Sequence, residues 1–326
     1  MPLRQSCKYH SSYQFVDDDE NRNFDGGVDD EDAFAGGADT PRRHSASTIV
    51  PSAAAPVRFI AVQTNPDHYW CSCAHDVMSN YVALHEHFEL HWIDEPNGGR
   101  ENKSGGKLRK NEVLASKLMK YEAALQHLDE SSLVVLLDCD IFITNTKISP
   151  VDVWNEFAHE DTSIIVSRDA HWKMNVPINA GMIIVKPSKF SREILESVRE
   201  KGRLTGHGNL YNARTLVDQP RLTFELSELN QVDTKPEAEC EIHSKVTIVS
   251  QRVMNSFYRN PDSFWSGFHY DPPESKWRVG DWVSHVTGMK TKQRVEAAKL
   301  FGNGCVGIVD NTRGIKLTSD GVKALS

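Results

Sequence analysis

The sequence has no run of about 18 apolar residues, the length at which a helix can cross a bilayer. Its first 30 residues also lack the basic and then apolar order of a signal peptide. We therefore expect a soluble chain without a transmembrane segment, for which a cytoplasmic location is favoured.

Basic residues are outnumbered and scattered. The chain has 37 Lys and Arg against 45 Asp and Glu, a formal net charge of −8, and no dense basic block. Such a chain is poorly suited to neutralising the phosphates of a nucleic acid, so we expect no nucleic-acid partner. A small anionic ligand held by a few placed cations is compatible with this composition, which does not specify an oligomeric state.

Cysteine is also scarce, with six in 326 residues, and their spacing matches no Cys-x-x-Cys zinc pattern. We therefore expect isolated reduced thiols. Cys71 and Cys73 have a second interpretation, in which they are redox-active or pair with partners elsewhere in the chain.

Residues 1–56 contain almost no aliphatic side chains before Ile49, and they have ten acidic against five basic residues. Such a segment cannot bury enough apolar surface to offset the entropy of ordering. We expect a disordered acidic tail at 1–56, one domain with a sizeable core at 57–303 and a C-terminal tail at 304–326.

In the expected domain, short apolar runs alternate with amphipathic segments. VRFIAV, from Val57, predicts a buried strand, and a helix in HDVMSNYVALHEHF and a strand in ELHWIDE follow. A helix near Glu112 to Leu128, with apolar residues at spacings of three and four, precedes the strand SLVVLLD. Further strands are expected in TSIIVS, MIIVKP and KVTIVS. This alternation predicts a three-layer α/β/α (Rossmann-like) domain with a mainly parallel sheet.

The apolar run LVVLL ends in two aspartates, Asp138 and Asp140. In open α/β sheets, ligands bind beyond the carboxyl ends of the strands. Two carboxylates at such an end can share a hard divalent cation, Mn²⁺ or Mg²⁺, with a diphosphate, and the cation then neutralises charge on the leaving group. The ordinary alternative is that the two acids solvate a loop or cap a helix.

Phosphatases of the haloacid dehalogenase type have the same layout, with the first aspartate, here Asp138, as nucleophile. Their pattern usually has Thr or Val two residues after the second aspartate, where this chain has Phe142. No convincing downstream Lys and paired acidic motif is present. This phosphatase is the alternative enzyme class.

The segment GDWVSHVTGMK contains His285, Gly288 and Lys290. Mn²⁺ accepts imidazole as well as carboxylate, and a Lys ammonium is a suitable point charge for phosphate oxygens. One loop would thus supply a third metal ligand and a phosphate contact. The ordinary alternative for His285 is a surface or core histidine.

With these motifs, the sequence from about Val57 to Arg294 resembles glycosyltransferase family 34, the α-galactosyl, α-mannosyl and α-xylosyl transferases with the GT-A fold. Lys117 lies 21 residues before Asp138, as the family's Lys does, and NAGMIIVKPS from Asn179 resembles its Asn-Ala-Gly strand.

The remaining motifs follow in the family's order. Asp218 and Gln219 match its Asp-Gln or Glu-Gln pair, and QRVMNSFYR resembles its Gln-x-x-x-Asn-Ser-aromatic segment. GDWVSHVTGMK resembles its Gly-Asp-x-x-x-His-x-x-Gly-x-Lys loop. Two features depart from the pattern: family members are usually type II membrane proteins of the Golgi, and the run before the aspartates is aliphatic here rather than aromatic. By this resemblance, an association with the Golgi would need an anchor that a partner supplies or that is missing from this chain.

The resemblance implies transfer of a hexose or pentose from a nucleotide-diphosphate sugar to a hydroxyl of a glycan or glycoprotein. A UDP-sugar is the favoured donor, with GDP-mannose second. By the same resemblance, Asp138, Asp140 and His285 would bind the metal, and Asp138 would also contact the donor ribose. The donor-binding candidates are Thr64, Asn65, Lys117, Asp138, Asp169, Asn179, Gly288 and Lys290. Trp172, Trp265 and Phe268 are candidates for stacking against an acceptor sugar, although core packing is the commoner fate of a Trp.

Retention of anomeric configuration is also implied, with Asp218 and Gln219 as the catalytic candidates. Asp218 is chemically able to act as a nucleophile, whereas an amide such as that of Gln219 is a poor one. In a same-face mechanism both would instead stabilise an oxocarbenium-like centre. A helix N-terminus at Asp218, followed by Pro220, is the structural alternative and is compatible with either role. A third hypothesis is a sugar-nucleotide or glycan-binding protein of the same fold without turnover.

Overall fold

A computed structural model of the chain describes residues 48–63, 69–94, 110–169, 178–204, 218–226, 243–258, 275–286, 291–302, 315–318 and 321–324. The strands are β1 Val57–Gln63, β2 Phe88–Asp94, β3 Leu133–Asp138, β4 Ile141–Ile143, β5 Ile164–Arg168, β6 Ile178–Val185, β7 Val246–Val249, β8 Ser256–Phe257, β9 Val283–His285, β10 Ile315–Thr318 and β11 Gly321–Ala324. The helices are α1 Tyr69–Ala83, α2 Lys110–His127, α3 Pro150–Phe157, α4 Lys189–Leu204, α5 Asp218–Leu226, α6 Gln251–Met254 and α7 Thr291–Phe301.

The central sheet has six strands in the order β2-β1-β3-β6-β5-β7. The strand β1 is parallel to β2 and β3, and β5 is parallel to β7. Only β6 runs against the other strands of this sheet, since it is antiparallel to both β3 and β5. The expected mainly parallel sheet is therefore confirmed.

Each face of this sheet is covered by its own apolar core, because side chains alternate along a strand. In β1, Phe59 packs in one core and Ile60 in the other, and in β3, Val135 and Leu136 divide in the same way. Buried residues of α1, α3 and α7 belong to the first core, and those of α2, α4 and α5 to the second. The domain thus has the three layers expected from the sequence.

The helix α1 begins and ends earlier than the sequence pattern indicated, since it was expected within residues 75–88. Its buried residues Trp70, Cys73, Ala74, Val77 and Met78 follow spacings of three and four. The apolar stripe therefore starts at Trp70, and the chain leaves the helix at Ala83 to enter β2.

The expectation of reduced thiols was wrong for the three cysteines in the described part of the chain. Cys71 of α1 and Cys139, which follows β3, form a disulfide with a Cα–Cα distance of 4.9 Å. Cys73 is disulfide-bonded as well. The second interpretation, in which Cys71 and Cys73 pair with partners elsewhere in the chain, is therefore confirmed. Cys71 meets Cys139 because α1 packs beside β4, the strand that begins just after Cys139.

The ends of the described chain add two observations. The N–H of Ile49 donates to Asn155 Oδ1 at 3.0 Å, and the Ile49 side chain packs against the first core, so contacts with the domain begin before Val57. Strands β10 and β11 pair antiparallel. In the described part of the chain, no helix combines the length and hydropathy that crossing a bilayer requires.

Candidate metal and donor site

The sheet topology gathers polar residues from three strands at one edge. Since β6 is antiparallel to β3, with Leu137 opposite Met182, the start of β6 lies beside the Asp138 end of β3. The carboxyl end of β5 reaches the same edge, where Ser167 is opposite Asn179. Asp138, Asp169 and Asn179, which the sequence analysis selected separately, therefore share one edge of the sheet.

A second, three-stranded sheet of order β4-β9-β8 brings in the distant histidine. His285 of β9 is opposite Ile141 of β4, and the N–H of Val286 donates to the Asp140 carbonyl at 3.0 Å. One ligand atom from each of Asp138, Asp140 and His285 lies within 4.8 Å of the others. We call these three residues the metal cluster.

The orientation of His285 is set by an amide. Asn255 Oδ1 lies 2.8 Å from His285 Nδ1, while Asn255 Nδ2 donates to Ser167 Oγ at 3.2 Å. With the amide in this orientation, its oxygen accepts, so the imidazole proton lies on Nδ1 and the lone pair of a neutral ring lies on Nε2. This is the arrangement in which protein histidines bind metals.

The other ring nitrogen of His285, Nε2, points to a carboxylate. His285 Nε2 lies 3.1 Å from Asp140 Oδ1. Two acceptor atoms at this distance repel each other unless a cation stands between them, which is either a proton on Nε2 or a metal ion bound to both. The donor set of two carboxylates and one imidazole fits Mn²⁺, and carboxylates alone also suit Mg²⁺.

Two lysines of α2 form a charged network with Asp138 of the metal cluster and with Asp218. Lys120 Nζ lies 2.8 Å from Asp138 Oδ1 and 3.0 Å from Asp218 Oδ2, and it also donates to the Ala180 carbonyl at 3.2 Å. Lys117 Nζ donates to Asp138 Oδ2 at 3.0 Å and lies 3.7 Å from Asp218 Oδ1. Lys117 lies in the middle of α2.

The ionisation of this network follows from its charges. Burial would raise the pKa of Asp218, but attraction to Lys117 and Lys120 outweighs it and lowers that pKa to about 2. For the two lysines, burial favours the neutral form, and the attraction of Asp138 and Asp218 nevertheless raises both pKa values. Asp218 and the two lysines are therefore charged at neutral pH.

Asp140 is held ionised in a similar way. Burial raises the pKa of this carboxyl group, but attraction to His285, and then to Arg294 of α7, lowers the net value well below the usual range. The Asp140 carboxylate is therefore available as an anionic ligand at neutral pH.

A second polar network joins the remaining candidates. Gln219 Nε2 donates to Asp169 Oδ2, and Gln219 Oε1 accepts from the Ala180 N–H at 3.4 Å. Asn179 Nδ2 donates to the same oxygen of Asp169 at 3.4 Å, and Asn179 Oδ1 accepts from the Gly181 N–H at 2.8 Å. Asp218 and Gln219 form the first turn of α5, where the sequence allowed a helix N-terminus.

In the described part of the chain, eight of the predicted site residues meet in two connected networks: Lys117, Asp138, Asp140, Asp169, Asn179, Asp218, Gln219 and His285. The candidates Thr64, Asn65, Gly288 and Lys290 lie outside the described residues, as do Trp172, Trp265 and Phe268. The donor-binding and catalytic roles of all these residues stay predictions.

Sequence reasoning missed three residues of the site. Lys120 follows Lys117 by three residues, a spacing that places both on one helix face, and this spacing could have identified it. Asn255 was part of a recognised motif without a role. Arg294 had no sequence signal, because its place beside Asp140 depends on the packing of α7 against α1 and β4.

The sequence matches no protein-family model and no curated protein. Solved structures similar to the chain include a glycosyltransferase involved in glycosylation of the major capsid of PBCV-1, with 14% identity, a TM-score of 0.49 and coverage of 75% of this chain and 99% of that one. Mouse xyloside xylosyltransferase 1 has 13% identity and a TM-score of 0.39, with 72% and 98% covered.

A mutant of the Drosophila β1,4-galactosyltransferase 7 in complex with manganese, UDP-Gal and xylobiose is similar at 10% identity and a TM-score of 0.35, with 73% of each chain covered. Similarities this remote assign neither a family nor an activity to this chain. Its function has to be inferred from its own side chains.

Proposed function

We propose that this chain is a metal-dependent glycosyltransferase of the GT-A fold that moves a hexose or pentose from a nucleotide-diphosphate sugar to a glycan hydroxyl with retention. The observation behind the proposal is the metal cluster: two carboxylates at the carboxyl end of β3 meet an imidazole from 145 residues further along the chain. A UDP-sugar is the favoured donor class, with GDP-mannose second.

Asp138, Asp140 and His285 would hold the cation, and their donor set favours Mn²⁺ over Mg²⁺ because of the imidazole. When bound, the cation supplies charge neutralisation for the leaving diphosphate. The orientation of His285 toward Asp140, set by Asn255, supports this assignment, since the lone pair of the neutral ring faces the carboxylate.

Lys117 and Lys120 reduce the negative charge that a diphosphate would meet at this site. A diphosphate is anionic, and Asp138, Asp140 and Asp218 would repel it. Lys117 and Lys120 offset two of these charges through contacts of 2.8 to 3.7 Å, which lowers the cost of bringing the donor to this edge of the sheet. Lys117 is also partly exposed, so its ammonium is the one of the two that a donor could reach.

The contacts of Asp218 favour the same-face route over a covalent intermediate. Its carboxylate is buried and paired with two lysines, which makes it a weak nucleophile. In the proposed step, the bond from the sugar C1 to the diphosphate breaks while the bond from C1 to the acceptor oxygen forms on the same face. The acceptor proton goes to the leaving phosphate oxygen, and Asp218 and Gln219 stabilise the developing positive charge at C1.

The proposal is tested by incubating the protein with a panel of nucleotide sugars and Mn²⁺ and measuring the nucleoside diphosphate released. We expect release from one donor, its loss on addition of EDTA, and its loss in Asp140→Asn. Asp161→Asn, an exposed acidic residue of a turn, is the matched control and should leave release unchanged. Release that persists in Asp140→Asn would contradict the metal site.

The same assay separates the other candidates. Hydrolysis of p-nitrophenyl phosphate without turnover of any nucleotide sugar would identify the phosphatase, with Asp138 as nucleophile. Donor binding in calorimetry without turnover would identify a binding protein. Mass spectrometry of the protein incubated with the active donor alone then tests the mechanism, because a glycosyl adduct on Asp218 would overturn the same-face route.

A further inference from the structure

A guanidinium group lies beside the metal cluster, at Asp140 rather than at Asp138, which the lysines contact. Arg294, in the first turn of α7, has Nη2 3.6 Å from Asp140 Oδ2. Its Cζ lies 5.2 Å from the centre of the Trp70 ring of α1. Trp70 is buried, whereas the Arg294 side chain is 23% exposed. The guanidinium is therefore held on a fixed aromatic surface with one part open to solvent.

The contact with Asp140 leaves the donors of Arg294 available. A distance of 3.6 Å is longer than a hydrogen bond, so the pair is an attraction between charges without a directed N–H···O contact. The Nε atom of Arg294 is buried and has no hydrogen-bond partner among the residues that the structure describes. A buried N–H without a partner is costly, so this position of the guanidinium leaves a hydrogen bond to be gained if the side chain moves to a ligand oxygen.

Arginine suits one ligand chemistry in this position. Its planar N–H donors match the oxygens of a phosphate, and stacking on an aromatic ring fixes the plane in which they lie. Its charged neighbour Asp140 is a metal-ligand candidate, so a diphosphate that shares a cation with Asp140 would lie within reach of the same guanidinium. A cation bound by Asp140 would also weaken the attraction that holds Arg294 to this carboxylate.

We propose that Arg294 is an exchangeable cation, which neutralises Asp140 in the metal-free protein and binds the donor's diphosphate once a metal ion is bound to Asp140. This inference rests on the proposed function. It has two consequences of opposite sign: Arg294 competes with the metal ion when no nucleotide is present, and it contributes to nucleotide affinity when the metal ion is present.

The test measures two affinities by calorimetry: Mn²⁺ alone, and UDP or GDP in the presence of saturating Mn²⁺. Arg294→Ala should bind Mn²⁺ about threefold tighter, since it loses a partly exposed competing charge. It should bind the nucleoside diphosphate about tenfold more weakly or worse, since it loses a charge-assisted hydrogen bond. Arg294→Lys should lie between the wild type and Arg294→Ala in both affinities. Lys292→Ala, an exposed cation of the same helix, should change neither.

The two affinities together show whether Arg294 is an exchangeable cation. Weaker binding of both Mn²⁺ and nucleotide in Arg294→Ala would indicate a merely structural role and would overturn the proposal, as would two unchanged affinities. The intermediate Arg294→Lys variant keeps the test valid if the alanine variant folds poorly. A wild-type protein that binds neither UDP nor GDP with Mn²⁺ would instead contradict the proposed function itself.

Discussion

Gly181 lies directly against the ring of His285. A Cβ atom built on Gly181 would be 2.5 Å from His285 Cε1, 2.8 Å from His285 Nδ1 and 2.9 Å from Asn179 Oδ1. Real side chains do not approach this closely, so the ring can occupy its place only because residue 181 has no side chain. The glycine of the Asn-Ala-Gly motif is thus explained by the position of a metal-ligand candidate in another sheet.

Gly181→Ala is therefore expected to displace the His285 ring and to weaken Mn²⁺ binding about tenfold or more, because metal affinity depends on ligand orientation. Calorimetric titration with Mn²⁺ measures the loss. Ser284→Ala is the control, since Ser284 precedes His285 on β9 and its hydroxyl has no hydrogen-bond partner among the described residues. Equal Mn²⁺ affinity in Gly181→Ala and the wild type would exclude this packing role.

The hydrogen bond between Asn255 and His285 leads to a second prediction. Asn255→Ala removes the acceptor that holds the proton on Nδ1, and we expect Mn²⁺ affinity to fall about tenfold to a hundredfold. Asn255→Asp keeps an acceptor oxygen at this position and should retain most of the affinity. The Mn²⁺ titration checks both variants. If Asn255→Asp loses as much affinity as Asn255→Ala, the acceptor is not what orients the ring.

Much of the fold was predictable because local patterns specify it. The run from Leu133 to Leu137 is apolar at every position, as expected for a strand covered on both faces, and it becomes β3 with the aspartates at its end. Asp138 and Asp140 were candidate metal ligands because they follow an apolar strand, and His285 was a candidate third ligand because Mn²⁺ accepts imidazole. The order of the family motifs then supported combining the three.

The contacts that complete the site were not predictable, because they depend on tertiary register. Whether Lys120 faces solvent or two carboxylates depends on how α2 packs against β3 and α5, which spacing alone does not specify. The disulfide is similar, since its cysteines are 68 residues apart and become neighbours only when α1 packs beside β4. Arg294 likewise reaches Asp140 only through the packing of α7.

The buried pair of Lys120 and Asp218 predicts a dependence of stability on pH. Attraction to the lysines lowers the Asp218 pKa to about 2 in the folded state, against about 3.9 in an unfolded chain. A depressed pKa stabilises the folded state above the unfolded value, and this contribution is lost as pH falls toward 2. The free energy of unfolding should therefore decrease by about 2 kcal/mol from this group between pH 5 and pH 2.

Lys120→Met tests the same pair from the other side. At pH 7 it leaves Asp138 and Asp218 with one cation fewer in a buried site, so we expect a loss of about 3 kcal/mol in the free energy of unfolding. The loss should shrink as pH falls toward 2, because Asp218 then becomes protonated. Urea denaturation in EDTA measures the free energy of unfolding at both pH values. Lys189→Met, which removes an exposed ion pair with Glu193, is the control and should have a negligible effect at either pH.

The disulfide between Cys71 and Cys139 leads to the last prediction. Cys139 lies between the two aspartates, so the bond attaches the metal-binding segment to α1 as well as closing a 68-residue span. Cys71→Ala with Cys139→Ala should lower the free energy of unfolding by about 2 to 4 kcal/mol, because the unfolded chain gains freedom. It should also weaken Mn²⁺ binding, because Asp138 and Asp140 lose a constraint.

Cys73→Ala separates the two effects. Cys73 belongs to the same helix and is disulfide-bonded, yet that bond does not involve Cys139, which is joined to Cys71. This variant should therefore lose stability in urea denaturation while keeping the Mn²⁺ affinity of the wild type. If the double variant of Cys71 and Cys139 also keeps that affinity, the disulfide stabilises the fold without positioning the aspartates, and the orientation of the metal cluster depends on β3, β4 and β9 alone.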